Sequence, residues 1–287
     1  MNMFERSWKI TKLSLNVMKK DKELFLFPII GGIFSLLFLI AMIFPVVVTA
    51  PAKNAAGGNS GMSFYLLIFL IYFGLALIAT FFNTCVVYTV KKRFEGGNAT
   101  FWDSIKFTLS RIHLVIAWGI ISATVGLLLR ILDQIGENMG EIGQILMSIL
   151  TSILGAIWSI ITVFVIPAMV YHNIGPFKAI KMSIHSLKKT WGESLVRYYG
   201  LGLIEIVMIV AGVILGIIFA VVTSPIPTLF YAVIIIFSIY IVAVLMFFNV
   251  ANTIFNTALF VYADTGRVPK VYDAEIITDA FKKKEKR

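Results

Sequence analysis

The sequence predicts an all-α, polytopic transmembrane helical bundle, and composition, the length of the apolar runs and the placement of the cations each point to it. Of 287 residues, 59% are apolar and 14% charged, with a mean hydropathy of +0.91; soluble domains carry about 45–50% apolar and about 25% charged residues. Crossing a hydrocarbon core of about 30 Å takes about 20 apolar residues. Six runs meet that length, with approximate limits 24–50, 63–90, 113–132, 143–171, 198–222 and 229–258. They are too long and too unalternating for barrel strands, and backbone polar groups in lipid must pair internally, so each is read as a helix. All but two of the 25 Lys and Arg, the exceptions being Lys53 and Arg130, fall in alternate non-membrane segments. By the positive-inside rule, both termini and the loops 91–112 and 172–197 face the cytoplasm. The segments 51–62, 133–142 and 223–228 face outward, and the expected location is an inner or plasma membrane.

No segment is large enough for an independent soluble core, so residues 1–287 are read as one integral membrane domain. Its first part, 1–23, is an amphipathic cytoplasmic leader. The first span resembles a signal peptide only in ending on the small residues Thr49 and Ala50. The leader is too long for an n-region, the apolar run exceeds an h-region, and Pro51 follows the would-be cut, so an uncleaved helix is expected. Pro225 and Pro227 mark a short external turn that makes the fifth and sixth spans an antiparallel hairpin. Pro167, inside span four, lacks a donor and clashes with the preceding turn, which predicts a kink. Gly212 and Gly216 in span five, Ser122 with Gly126 in span three, and Gly155 with Ser159 in span four let helix backbones approach closely, and are read as intramolecular packing.

The cytoplasmic segments share a pattern. Trp8, Thr11, Leu15 and Met18 recur as Trp102, Ile105, Leu109 and Ile112, and as Phe177, Ile180, Ile184 and Leu187, with Lys12, Lys106 and Lys181 at the same offset from each aromatic. These spacings place four side chains on one helix face with the lysine at its edge, the pattern of a helix lying in the membrane interface. The second, fourth and sixth spans end alike, in Val87-Tyr88, Val170-Tyr171 and Val261-Tyr262. Three units of interfacial helix, span, span are therefore expected, although any amphipathic helix before a span shows this period. Anionic lipid at the cytoplasmic face adds roughly 1 kcal/mol per nearby Lys or Arg. The basic tail 264–287, with Ile277 and Phe281 on one face and Lys282, Lys283, Lys284, Lys286 and Arg287 after them, reads the same way. No nucleic-acid recognition motif accompanies it, so a nucleic-acid partner is not expected.

Polar residues inside the spans are few. Glu205 is the only carboxylate well within one, and a charge there costs about 2.5–3.5 kcal/mol on insertion scales. Asn249, Asn252 and Asn256 share one face of span six, and Asn83 with Thr84 lies at a similar depth in span two. A polar cluster in the cytoplasmic third of the bundle is predicted, with two readings open. One is inter-helix glue; the other is a proton or cation site in a transport path. A single acid without a buried basic partner makes a poor relay, which favours glue. His113, His172 and His185 are scattered at boundaries, and the one cysteine, Cys85, cannot form an internal disulfide, so no metal centre is expected. No phosphate-binding loop, nucleophile elbow or aspartate cluster is present, and neither enzyme activity nor a cofactor is expected.

Ser7-Trp8-Lys9, the run Lys20 to Leu24 leading to Phe27-Pro28, Arg93-Phe94-Glu95-Gly96, Thr190-Trp191-Gly192 and Tyr262-Ala263-Asp264-Thr265-Gly266 together resemble an uncharacterised family of prokaryotic membrane proteins known only as a domain of unknown function. The resemblance implies six spans and lends no catalytic or binding residues. The expected role is a non-catalytic membrane-organising or accessory protein with a membrane-protein partner. The alternative is a transporter or channel for a small solute or ion, organised around Glu205 and the asparagine face.

Overall fold

The computed structural model describes residues 3–55, 61–191 and 200–269, and no strand occurs among them. The chain runs as α1 (Met3–Lys20), a single 3-10 turn (Lys22–Phe25), α2 (Leu26–Ala55), α3 (Gly61–Phe94), α4 (Phe101–Ser110) and α5 (Ile112–Glu137), then α6 (Gly140–Thr162), α7 (Val165–His172), α8 (Pro176–Trp191), α9 (Gly200–Thr223) and α10 (Pro227–Thr265). Six stretches are long and apolar enough to cross a membrane: Lys22–Val47, Phe64–Phe94, Ile112–Glu137, Gly140–His172, Ile204–Thr223 and Pro227–Thr265. The protein is a multi-pass, all-α membrane protein.

Local chemistry sets the element ends. Thr100 caps α4 through a reciprocal box with Asp103, satisfying two otherwise orphaned donors. Pro227 opens α10, where its missing N–H is harmless, and Gly266 closes it at φ 72°, a backbone conformation that favours glycine. The fourth span is not merely kinked. It breaks between α6 and α7, one turn before Pro167, because the proline has no N–H for the Val163 carbonyl and its ring crowds that group.

At the centre, α3, α7 and α10 pack on one another, while α2 lies on α3, α5 on α3 and α6, and α9 on α10. Gly212 and Gly216 make the last contact possible. A Cβ on Gly212 would collide with the Tyr240 ring, and one on Gly216 would stand 3.0 Å from Phe237.

The amphipathic helices pack at the ends of the spans: α4 on α3, α8 on α7, and α1 chiefly on α9 with a smaller contact to α10. Trp8, Trp102 and Phe177 are 56%, 66% and 71% exposed, whereas Ser14, Thr108 and Ser183, each six residues further on, are 0% exposed. The face turned inward is thus a small hydroxyl face. The apolar row named from spacing runs obliquely, from the exposed aromatics to Met18 and Leu187, which are buried in the core. Lys12, Lys106 and Lys181 are exposed.

Polar ties join the cation-rich segments at one end of the bundle. Arg93 forms a bidentate pair with Asp21, Arg111 donates from Nε to Asn173 Oδ1 at 2.7 Å, and His172 Nε2 lies 3.0 Å from Asp264 Oδ2. At the other end, Arg130 pairs with Glu137 at 3.3 Å and Tyr65 donates to Gln134 at 3.1 Å. The tail residues Ile277, Phe281, Lys282, Lys283, Lys284, Lys286 and Arg287 lie outside the described residues.

Candidate functional site

The intramembrane polar residues come together where the three central helices meet. Asn83 on α3, and Asn249, Asn252, Thr253 and Asn256 on α10, line a cavity of about 340 Å³ with Trp118, Ser159, Thr162, Val163, Ile166 and Pro167. Asn83 is eleven residues from the end of α3, which places it roughly 16 Å along the helix at 1.5 Å per residue. The spacing of the asparagines on α10 explains their shared face: 249, 252 and 256 are three and four residues apart, neighbours on a helix surface.

The amides are only partly spent on each other. Thr253 donates its hydroxyl to Asn83 Oδ1 at 3.2 Å and to its own helix at the Asn249 carbonyl at 3.0 Å. The Glu205 carboxyl on α9 is hydrogen-bonded to the Asn252 side chain, so the acid stands behind one asparagine, outside the residues that line the cavity. Asn256 Oδ1 is buried with no hydrogen-bond partner among the described residues. Thr84, which the sequence offers as a partner, turns instead to its own backbone, donating to the Thr80 carbonyl at 2.7 Å.

One wall is the break in the fourth span. Phe164 N–H donates to Ser183 Oγ on α8 at 3.2 Å, while the Ile160 carbonyl that would have accepted it takes the Val163 N–H at 3.3 Å. Irregular backbone at membrane depth is tolerated where it is buried in protein or lines a cavity, and this segment does both.

Asn83 and Asn249 also border a second cavity, of about 350 Å³, whose other walls are Pro28, Gly31, Gly32 and Ser35 of α2, Ile78 to Phe82 of α3 and Leu245 and Met246 of α10. Asn83 and Asn249 therefore line both cavities. Among the described residues, no group of three His, Cys, Asp or Glu is placed to hold a metal ion.

The family model of DUF6159, a family of unknown function, matches residues 62–270. The chain belongs to DUF6159. A search of curated proteins finds no match. The DUF6159 segment holds α3 to α10, with all four asparagines and Glu205, whereas α1 and α2 precede it, and the opening residues that carry part of the sequence resemblance lie outside it. Sequence reasoning named the asparagines and Glu205, named Ser159 only as a packing residue, and did not name Thr253 or Thr162. Thr253 was within reach, because it sits one turn after Asn249 on the same helix.

Proposed function

We propose that this DUF6159 protein binds a small polar solute or ion within the membrane and passes it across, with the asparagine cavity as the binding site. The observation that carries the reading is a cavity walled by four amides and a broken helix, deep among apolar spans. Glue would pair amides with amides across the helix contacts; an open, half-satisfied set is what a hydrated site needs. Cytoplasmic termini belong to the same reading, supported by the cation distribution and by the meeting of the cation-rich segments at one end.

An accessory, membrane-organising role is the second reading, favoured by the exposed faces around Trp8 with Lys12, Trp102 with Lys106 and Phe177 with Lys181. Such faces suit anionic headgroups. The two readings separate in one assay. Thermal unfolding of the full chain in lipid nanodiscs, with a panel of ions and small metabolites, is compared for wild type, Glu205→Gln and Glu205→Leu. A saturable ligand-dependent rise in Tm that weakens in both variants supports binding; a Tm blind to every ligand, falling only with the Leu change, leaves the accessory role.

A further inference from the structure

We infer that the outer face of α8 docks on anionic phospholipid headgroups of the cytoplasmic leaflet, and that Ser183 carries this contact to the wall of the asparagine cavity. The docking holds whatever the cavity binds; its value as regulation rests on the binding reading above.

The two faces of α8 differ sharply. At 3.6 residues per turn, the buried residues Pro176, Ala179, Ser186 and Leu187 all fall within about 60° of Ser183. Lys178, Lys181, His185 and Lys188, all exposed, fall about 140–160° from it, on the far side. The helix contains no Asp or Glu, and none of these four residues joins an ion pair among the described residues. In this α8 differs from its counterparts, since α1 carries Glu5 and α4 carries Asp103 beside its one lysine. Like charges along one helix face repel, and an anionic surface set against them removes that cost.

Depth selects lipid as that surface. With 23 residues, α6 is about 34 Å long and crosses a hydrocarbon layer of about 30 Å by itself. The break that follows it therefore stands at the level of the headgroups. Ser183, midway along α8, is bonded to Phe164 at the start of α7. That bond lays α8 antiparallel beside α7 and sets its basic face on the flank of the bundle at headgroup level. Lys178 and Lys188 lie about 7.5 Å along the axis on either side of Ser183, a distance that a lysine stem can span to reach the same layer.

The opposite face gives the contact its consequence. Thr162, Val163, Ile166 and Pro167, on either side of Phe164, line the asparagine cavity, and Ser183 Oγ accepts the Phe164 N–H at 3.2 Å. A helix pinned to headgroups by one face thus steadies the cavity wall with the other.

The test is amide hydrogen exchange of the full-length protein at low salt, in nanodiscs of phosphatidylcholine alone or with one-third phosphatidylglycerol. In the anionic discs, amides in 163–168 and 180–188 are expected to exchange about fivefold more slowly or better, the factor that one lysine at an anionic surface supplies. High salt should erase the difference. Lys178→Gln, Lys181→Gln and Lys188→Gln combined should remove it, whereas the three corresponding Lys→Arg changes, or Lys106→Gln on α4, should leave it. Equal exchange in the two lipids, or slowing that survives the triple Gln variant, overturns the docking surface. Slowing produced by poly-glutamate in phosphatidylcholine discs, with none from phosphatidylglycerol, overturns lipid in favour of an acidic protein segment. In Ser183→Ala the lipid effect should persist in 180–188 and vanish from 163–168; persistence in both overturns the route to the cavity wall. A Tm blind to every solute, with the exchange results intact, removes the binding reading and leaves the α8 contact standing.

Discussion

Replacing Ser183 with Ala isolates the contact that holds the broken fourth span in shape. Ser183 Oγ accepts the Phe164 N–H at 3.2 Å, and both residues are fully buried. The Ile160 carbonyl, its helical acceptor by spacing, is engaged by the Val163 N–H at 3.3 Å. Loss of the hydroxyl takes this partner from a buried donor, and a buried donor deprived of its acceptor costs about 1–3 kcal/mol. Inter-helix hydrogen bonds in membranes average only about 0.6 kcal/mol, since their unfolded state finds other partners. An unmatched donor at a helix break lies above that average, so about 1.5 kcal/mol is expected. Reversible unfolding in bicelles measures it, with Thr124→Ala as the control. Thr124 is exposed and bonds only the carbonyl of Ile120, four residues back on its own helix, so its loss should cost about 0.3 kcal/mol or less. A Ser183→Ala cost no larger than that of the control refutes the account of the break, and the cavity wall would then stand without α8.

Other perturbations test separate joints. Arg93→Met strands the buried Asp21 carboxylate and should cost about 2–3 kcal/mol, somewhat below a fully buried pair because the arginine is partly exposed; the double variant with Asp21→Leu should recover much of it in the same unfolding assay. Gly212→Val drives a branched side chain into the Tyr240 ring and should lower stability by about 1–3 kcal/mol, against little change for Glu141→Ala at an exposed position. The Thr100 hydroxyl and backbone N–H hold the Asp103 carboxyl below the ordinary carboxylate value of 3.8; with the folded value depressed, its contribution is present above the ordinary value and lost as pH falls through the lower one. Amide exchange in α4 should therefore accelerate on strong acidification, and Thr100→Val should weaken that dependence. A membrane-impermeant maleimide applied to intact cells should label Asn138→Cys and not Glu95→Cys, since buried Cys85 contributes no background.

Spans and breaks were legible because their causes are local. Hydrocarbon thickness fixes the length of an apolar run, and a proline removes its own donor wherever it stands. The polar cluster was legible for a related reason: side chains that are expensive in lipid are few, so shared depth and shared face nearly suffice to bring Asn83 to Asn249, Asn252 and Asn256. What spacing could not reveal was the inward face of the amphipathic helices. Hydropathy ranks Trp8, Trp102 and Phe177 as the residues to bury, but lipid is as good a solvent for them as protein is. Close approach of two helices rewards small side chains instead, which is why Ser14, Thr108 and Ser183 are the ones at zero exposure. Thr162 and Val163 were hidden because their part in the cavity depends on a tertiary neighbour, Ser183, taking up the Phe164 N–H.

The three-unit pattern expected from the sequence is informative at the places where it fails. Aligned on Tyr88, Tyr171 and Tyr262, Pro167 has Thr84 and Ala258 as its counterparts, and α3 and α10 run unbroken through those positions. Asn249, Asn252 and Asn256 align with Leu75, Ile78 and Phe82 of α3, and with Trp158, Ile161 and Val165 of the broken span. Three equivalent helices would close a dry, apolar centre. Here one helix is broken and another is made polar, and the two departures face each other across the same cavity. Each lowers stability taken alone: the break forfeits backbone hydrogen bonds, and the asparagines replace apolar packing with amides that the fold does not fully pair. Departures from local rules that coincide in space, without a stabilising return inside the protein, mark the part of the structure shaped by something other than folding. The ligand proposed for the cavity is the return that the fold itself leaves out.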